Sequence, residues 1–135
     1  MSDLSIVNED GVLKVTITCP DRLNSVTSQM LNQMADALEA ADGVRVAVFG
    51  GEGRAFWSGA VMVPGAVDDQ ILAAIERVIS AITKAPVPVL AAVNGLAAGL
   101  GSSLALACDL QVTKASGYFL QAFINVGLMG DGGAH

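Results

Sequence analysis

The stretch Val89-Leu90-Ala91-Ala92-Val93-Asn94-Gly95-Leu96-Ala97-Ala98-Gly99-Leu100-Gly101-Ser102-Ser103 decides how the chain folds. Its first part, Val89 to Val93, is apolar at every position, as expected of a strand buried on both faces of a parallel sheet. The rest, Asn94 to Ser103, is a loop of mostly small residues. Leu104 to Cys108 then reads as helix, Leu110-Gln111-Val112-Thr113 as strand and Tyr118-Phe119-Leu120 as a further short strand. The same order occurs upstream. Val44 to Phe49 is a second nearly all-apolar strand, and Gly50 to Ala60 is a glycine-rich loop too long for a hairpin. A helix follows from about Val67 to Lys84, with an apolar stripe of Ile71, Ile75, Val78, Ile79 and Ile82. Pro86 and Pro88 end it. Repeated strand–loop–helix steps imply an α/β fold with a mainly parallel sheet and right-handed crossovers.

Towards the N-terminus the reading changes to a hairpin. Ser5-Ile6-Val7 leads into Asn8-Glu9-Asp10-Gly11, whose Asp-Gly pair suits a tight turn. From Val12 the chain alternates, with Leu13, Val15, Ile17 and Cys19 on one face and Lys14, Thr16 and Thr18 on the other. Pro20 ends that strand. Ser25 or Thr27 can cap a helix running to about Ala41, in which Met30, Met34, Leu38 and Ala41 recur at helical spacing and Leu31 and Ala37 widen the stripe. Its methionines are read as core packing rather than as a binding surface.

Composition narrows the functions available. Of 135 residues, 53% are hydrophobic and 15% charged, which excludes intrinsic disorder. The apolar excess implies surface that other protein covers, so the isolated chain is expected to associate. Seven bases against thirteen acids give a net charge of −6. The bases are scattered, so neither nucleic acid nor an anionic membrane is an expected partner. The N-terminal MSDLSIVNED holds no apolar core of a signal peptide, and every apolar run is interrupted before membrane-spanning length. A cytoplasmic setting is expected, with Cys19 and Cys108 as buried free thiols.

Several chemistries are excluded by what is absent. The single histidine is His135, and no G-x-S-x-G elbow occurs. No cluster of ligand spacing exists for a metal, and Asp68-Asp69 reads as a solvated helix start. Gly99-Leu100-Gly101 lacks the third glycine of a dinucleotide fingerprint. What remains is chemistry done by backbone. Ser58-Gly59-Ala60 and Gly99-Leu100-Gly101 are small enough for a ligand to approach the main chain, and each precedes a helix whose first N–H groups are free. Two such groups aimed at one carbonyl oxygen would form an oxyanion hole. Spacing alone favours the plainer reading, glycine turns that merely let helices pack.

Five collinear motifs carry a resemblance. Gly-Arg-Ala-Phe-x-Ser-Gly-Ala stands at 53–60, Pro-Val-Leu-Ala-Ala-Val-Asn-Gly at 88–95 and Ala-Ala-Gly-x-Gly at 97–101. Ala-Leu-Ala-Cys-Asp-Leu at 105–110 and Gly-Leu-Met-Gly-Asp-Gly-Gly-Ala at 127–134 complete the set. Together they resemble the crotonase superfamily of enoyl-CoA hydratases and isomerases, from about Leu13 to the last residue. The resemblance implies a crotonase-like spiral of ββα units. Residues 1–135 would form an incomplete domain, an N-terminal half that stops before the C-terminal helices.

It also implies an activity: binding an acyl-CoA thioester and stabilising its enolate. No cofactor is implied beyond coenzyme A carried by the substrate. The oxyanion donors map onto the N–H groups of Ala60 and Leu100. Leu23 and the strip from Ser58 to Met62 match segments that line coenzyme A, Gly99 joins the substrate-contacting set, and Arg22 lies near where a basic residue meets its phosphate. The hydratase glutamates are replaced by Ser103 and Phe123, neither of which is a base at neutral pH. Asp131 aligns with the aspartate of the isomerase branches, and it could equally cap the next helix. Trp57 and Val61 depart from the usual small residue and aspartate, and Trp57 is read as core. The favoured activity is enoyl-CoA isomerisation. The alternatives are a non-catalytic CoA-binding or interaction module and a hydratase lacking the usual glutamate pair. A homotrimer or hexamer is implied for the full-length protein.

Overall fold

The computed structural model describes residues 3–60 and 70–120. Asp10 and Gly11 take φ of 54° and 79°, the left-handed pair a two-residue hairpin turn needs. They join β1 (Leu4–Glu9) to β2 (Val12–Ile17) in antiparallel register. The alternation of β2 is as expected: Leu13, Val15 and Ile17 are buried and Lys14 is exposed. A single 3-10 turn at Pro20–Arg22 follows, then β3 (Ser25–Val26) and α1 (Ser28–Glu39).

Thr27 is the cap of α1, its Oγ1 accepting from the Met30 N–H at 3.2 Å. Ser25 lies inside β3, so of the two candidate caps Thr27 holds the position. The helix buries Met30, Leu31, Met34, Ala35 and Leu38, so its methionines do pack in the core. It ends at Glu39, short of Ala41.

The chain continues through β4 (Val46–Gly51), β5 (Ala55–Trp57), β6 (Gly59–Ala60), α2 (Ile71–Thr83), β7 (Val89–Val93), β8 (Leu96–Ala98), α3 (Leu100–Ala107), β9 (Leu110–Thr113) and β10 (Tyr118–Leu120). Three sheets result among the described residues. A five-stranded sheet runs β1-β2-β4-β7-β9, parallel throughout except for β1. A three-stranded parallel sheet runs β10-β8-β5, and β3 pairs with β6. The logic is a spiral: β2, β4, β7 and β9 enter the large sheet, and the strand after each turns off into a small one. After each of the first three such pairs comes a helix.

Two expectations need correction. The runs around β4 and β7 are not buried on both faces among the described residues. Ala47, Phe49, Val89, Ala91 and Val93 are buried, but Val46, Val48, Leu90 and Ala92 are only half-buried. The buried set forms one core with α1 and α2, which therefore cover a single face.

The two glycine loops are also more ordered than read: they contain β5, β6, β8 and the first turn of α3. That helix starts at Leu100 rather than Leu104, with Gly101, Ser102 and Ser103 all buried. Tertiary burial overrides the poor helix propensity of Gly-Ser-Ser, and strands of two or three residues are too short to show a period. The expected start of α2, Val67 to Asp69, lies outside the described residues.

No helix is long and apolar enough to cross a membrane among the described residues. Large apolar side chains do reach the surface at Leu106, Leu110, Val112 and Tyr118, each more than half exposed.

Candidate functional site

The site is built where β5 and β6 pass the start of α3. Ala55, Phe56 and Trp57 are all buried. The Trp57 indole stacks on Phe56 with ring centres 5.6 Å apart, meets Phe49 edge-on at 5.8 Å and donates from Nε1 to the Gly50 carbonyl at 3.3 Å. Trp57 is therefore core, as read. Its backbone meets Gly101, where any Cβ would collide with the Trp57 carbonyl and stand 2.8 Å from the Trp57 Cβ. Only glycine lets α3 press this closely on β5.

Gly99 turns the chain into α3 with φ 55° and ψ −121°. Its N–H donates to the Leu120 carbonyl at 2.8 Å. Its carbonyl accepts from the N–H groups of Ser102 and Ser103 at 3.1 and 3.2 Å and from the Ser102 hydroxyl at 2.9 Å. The N–H of Leu100, in the same first turn, has no acceptor among the described residues. Beside it runs β6. A Cβ built on Gly59, whose φ is 115°, would stand 3.4 Å from the Ala98 carbonyl and 3.8 Å from the Leu100 nitrogen. Ala60 follows, paired with Val26 as Gly59 is with Ser25.

The structure thus brings Gly99 and Leu100 to the strand that holds Ala60. Ser58 joins them by a long 3.5 Å hydrogen bond from its hydroxyl to the Arg22 carbonyl, and Leu23 is next to Arg22 with φ 55°. Arg22 itself is engaged within the chain. Its Nε donates to the Ser25 hydroxyl at 3.1 Å, Nη1 pairs with Asp3 at 2.9 Å and Nη2 reaches the Ser25 carbonyl at 3.2 Å. Met62, Val61, Phe123 and Asp131 lie outside the described residues. Ser103, on the second half-turn of α3, is buried.

Burial disfavours the thiolate form of both cysteines. Burial pushes the Cys108 thiol up to about 12, helped by nearby Asp109, and the thiol donates to the Leu104 carbonyl. Burial also raises Cys19, against the opposing pull of Arg22. Among the described residues, no three His, Cys, Asp or Glu side chains gather as a metal would require.

Two residues that bear on the site were passed over in the sequence. Asn24 is fully buried, and Asn94 sends its amide into the same turn as Asn24 does. Asn94 opens one glycine loop in the sequence, but Asn24 stands far from either, and nothing in a sequence says which carbonyl an amide meets.

A strand–turn–helix spiral whose corner presents a helix-start amide with no acceptor among the described residues, beside a glycine strand, defines a class, and comparison supplies its family. The chain belongs to the enoyl-CoA hydratase/isomerase family, whose model matches residues 7–135. It is 40% identical over 130 residues to a Rhodobacter capsulatus protein named "probable enoyl-CoA hydratase", covering 92% of this chain and 51% of that one. Its fold is the crotonase-like ββα spiral. A solved enoyl-CoA hydratase from Mycobacterium avium subsp. paratuberculosis K-10 superposes with a TM-score of 0.91 at 45% identity, over 98% of this chain and 53% of that one. A Thermobifida fusca YX protein solved in complex with acetoacetyl-CoA gives 0.87 at 27% identity, over 97% and 58%. The chain spans about half the length of the curated relatives it matches.

Proposed function

We propose that the protein binds an acyl-CoA thioester and holds its carbonyl oxygen between the backbone N–H groups of Ala60 and Leu100. The observation that supports this is the Leu100 amide, without an acceptor among the described residues and next to the strand of Ala60. As a thioester loses a proton from the carbon beside its carbonyl, charge collects on the oxygen. A preorganised N–H at that point lowers the barrier by about 2.7–4 kcal/mol. Main-chain donors are indifferent to the side chain they sit under, so a leucine at position 100 serves as well as a smaller residue.

Proton movement is assigned to Asp131. Its carboxylate takes a proton from the carbon next to the thioester of a 3-enoyl chain, and the electron pair passes to the carbonyl oxygen. The enolate is then protonated two carbons further on, which gives the 2-enoyl isomer with atoms and charge conserved. Addition of water by a carboxylate pair is disfavoured by Ser103, since general acid–base help of about 10²–10⁴ needs a group that titrates near neutrality. Leu23, Ser58, Met62 and Gly99 line the coenzyme A side in this reading, and Arg22 contributes through the turn it stiffens. The assembly proposed for the full-length protein is a cytoplasmic trimer or hexamer.

Acetoacetyl-CoA titrated into the protein tests binding, and conversion of 3-enoyl-CoA tests the reaction. Isomerisation that persists in Asp131→Asn removes the proposed base, and efficient hydration of 2-enoyl-CoA replaces isomerisation by hydration. The missing carboxylate at Ser103 also favours a second reading, a CoA-binding module without catalysis. Binding with no turnover of either substrate would select it.

A further inference from the structure

The carbonyl of Ala55, the first residue of β5, accepts two side-chain amides at once. Asn24 Nδ2 reaches it at 2.9 Å and Asn94 Nδ2 at 3.0 Å. Each amide also grips a second carbonyl of the same β4–β5 turn: Asn24 that of Glu52 at 2.8 Å, Asn94 that of Gly53 at 2.8 Å. Asn24 completes its valence by accepting from the Cys19 N–H at 3.1 Å through Oδ1. It does so from a left-handed backbone, φ 58°, directly after Leu23 at φ 55°. Two consecutive left-handed non-glycine residues are strained, and such strain persists only where the surroundings enforce it.

Asn94 shows the same priority differently. Both of its donations hold the turn, and its Oδ1 is left buried with no partner, the one such side-chain atom among the described residues. An unpaired buried acceptor is costly, so placement of the Nδ2 group dominates the position. Glycines close the remaining space. A Cβ on Gly51 would stand 2.8 Å from Asn24 Nδ2 and collide with the Phe56 carbonyl, and one on Gly95 would collide with the carbonyl of Arg54.

Three arms of the chain leave this knot. One is Leu23 and, through Asn24, β3. The second is β5, which continues through Ser58 to Ala60. The third starts at Asn94-Gly95 and continues through β8 to Gly99 and Leu100. We infer that Asn24 and Asn94 are positioning residues: by gripping the Ala55 carbonyl from both sides they fix the spacing between the Ala60 and Leu100 amides. This rests on the acyl-CoA reading, and it adds to it the residues that set the hole's geometry from behind. A group fixed in this way contributes where charge develops and contributes little to holding the ground state.

The test uses Asn94→Asp, which keeps shape and acceptor but removes the donor, together with Asn94→Ala and Asn24→Ala. Affinities for acetoacetyl-CoA, whose bound enolate has its own ultraviolet band, and for free coenzyme A are measured in each. Donor loss is expected to weaken acetoacetyl-CoA by about tenfold or more and to dim the enolate band, while coenzyme A changes by less than about threefold. Equal loss of both ligands, or loss of neither, overturns the proposal. Amide hydrogen exchange of the ligand-free chain separates this from the underlying reading. Faster exchange confined to residues 55–60 and 96–100, with α1 unchanged, is expected, and uniform or unaltered exchange overturns the coupling. If the unaltered chain binds no acetoacetyl-CoA, the acyl-CoA reading fails, and the exchange pattern still decides whether the two amides are held by the knot.

Discussion

Between α1, β2, β4 and β7 the contacts are side chain on side chain: Leu13, Val15, Ile17, Phe49, Leu31, Met34 and Val89 share one apolar core. Around β5, β8 and α3 side chains such as Phe56, Trp57 and Leu104 join that core, but backbone also meets backbone, with Gly101 against Trp57, Gly95 against Arg54 and Gly51 against Phe56. The first region is secured by area removed from water and can absorb a changed volume by partial collapse. The second depends in addition on the absence of a Cβ and on individual amides, and at those contacts it cannot absorb even one added carbon. The candidate donors Ala60 and Leu100 belong to the second region. Geometry that must be held closely is set there by main chain and fixed amides rather than by side chains with alternative rotamers.

The difference can be broken or sharpened by experiment. The largest effect is expected from Gly101→Ala, which drives a methyl into the Trp57 carbonyl and should cost more than about 3 kcal/mol in denaturant unfolding. Leu31→Ala empties space in the side-chain core and should cost about 3 kcal/mol, with the fold retained. If the deletion proves costlier than the addition, the contrast between the regions is wrong. Thr27→Ala removes the cap of α1, at the end of an element of the first region, and should cost about 1 kcal/mol by the same measurement.

The smallest effect is a pH dependence of the core. Burial holds the Cys108 pKa at about 12, above the ordinary thiol value of 9.0. The folded thiol therefore keeps its proton after the unfolded one has lost it. Its contribution is complete below about pH 9 and drains away as the pH rises from there towards 12. Thermal or urea unfolding at pH 7, 9 and 10 should show stability falling above pH 9, and less steeply in Cys108→Ala.

The same contrast explains what could be read in advance. Regular side-chain patterns were legible: the β2 alternation, the Asp10-Gly11 turn, the stripes of α1 and α2 and the parallel order of strands all follow from periods of two or 3.6 residues. The corner was legible only as glycine. Gly50 to Ala60 and Asn94 to Ser103 have no period, because a strand of two or three residues is defined by the chain it pairs with. Burial on one face rather than two could not be told from Val44 to Phe49 alone, since both faces of that strand are apolar whichever one is covered. For the site, the resemblance named Ala60 and Leu100, whereas Asn24 and Asn94 became visible only when their amides were seen to share the Ala55 carbonyl.

The large sheet lists its strands in the order in which they are synthesised, β1-β2-β4-β7-β9. Every new strand therefore finds its template already in place, as the outermost strand of what the ribosome has so far released. Among the described strands of this sheet, none is inserted between two earlier ones. Assembly can proceed vectorially, one crossover at a time, and the entropic cost of each closure spans only a single unit.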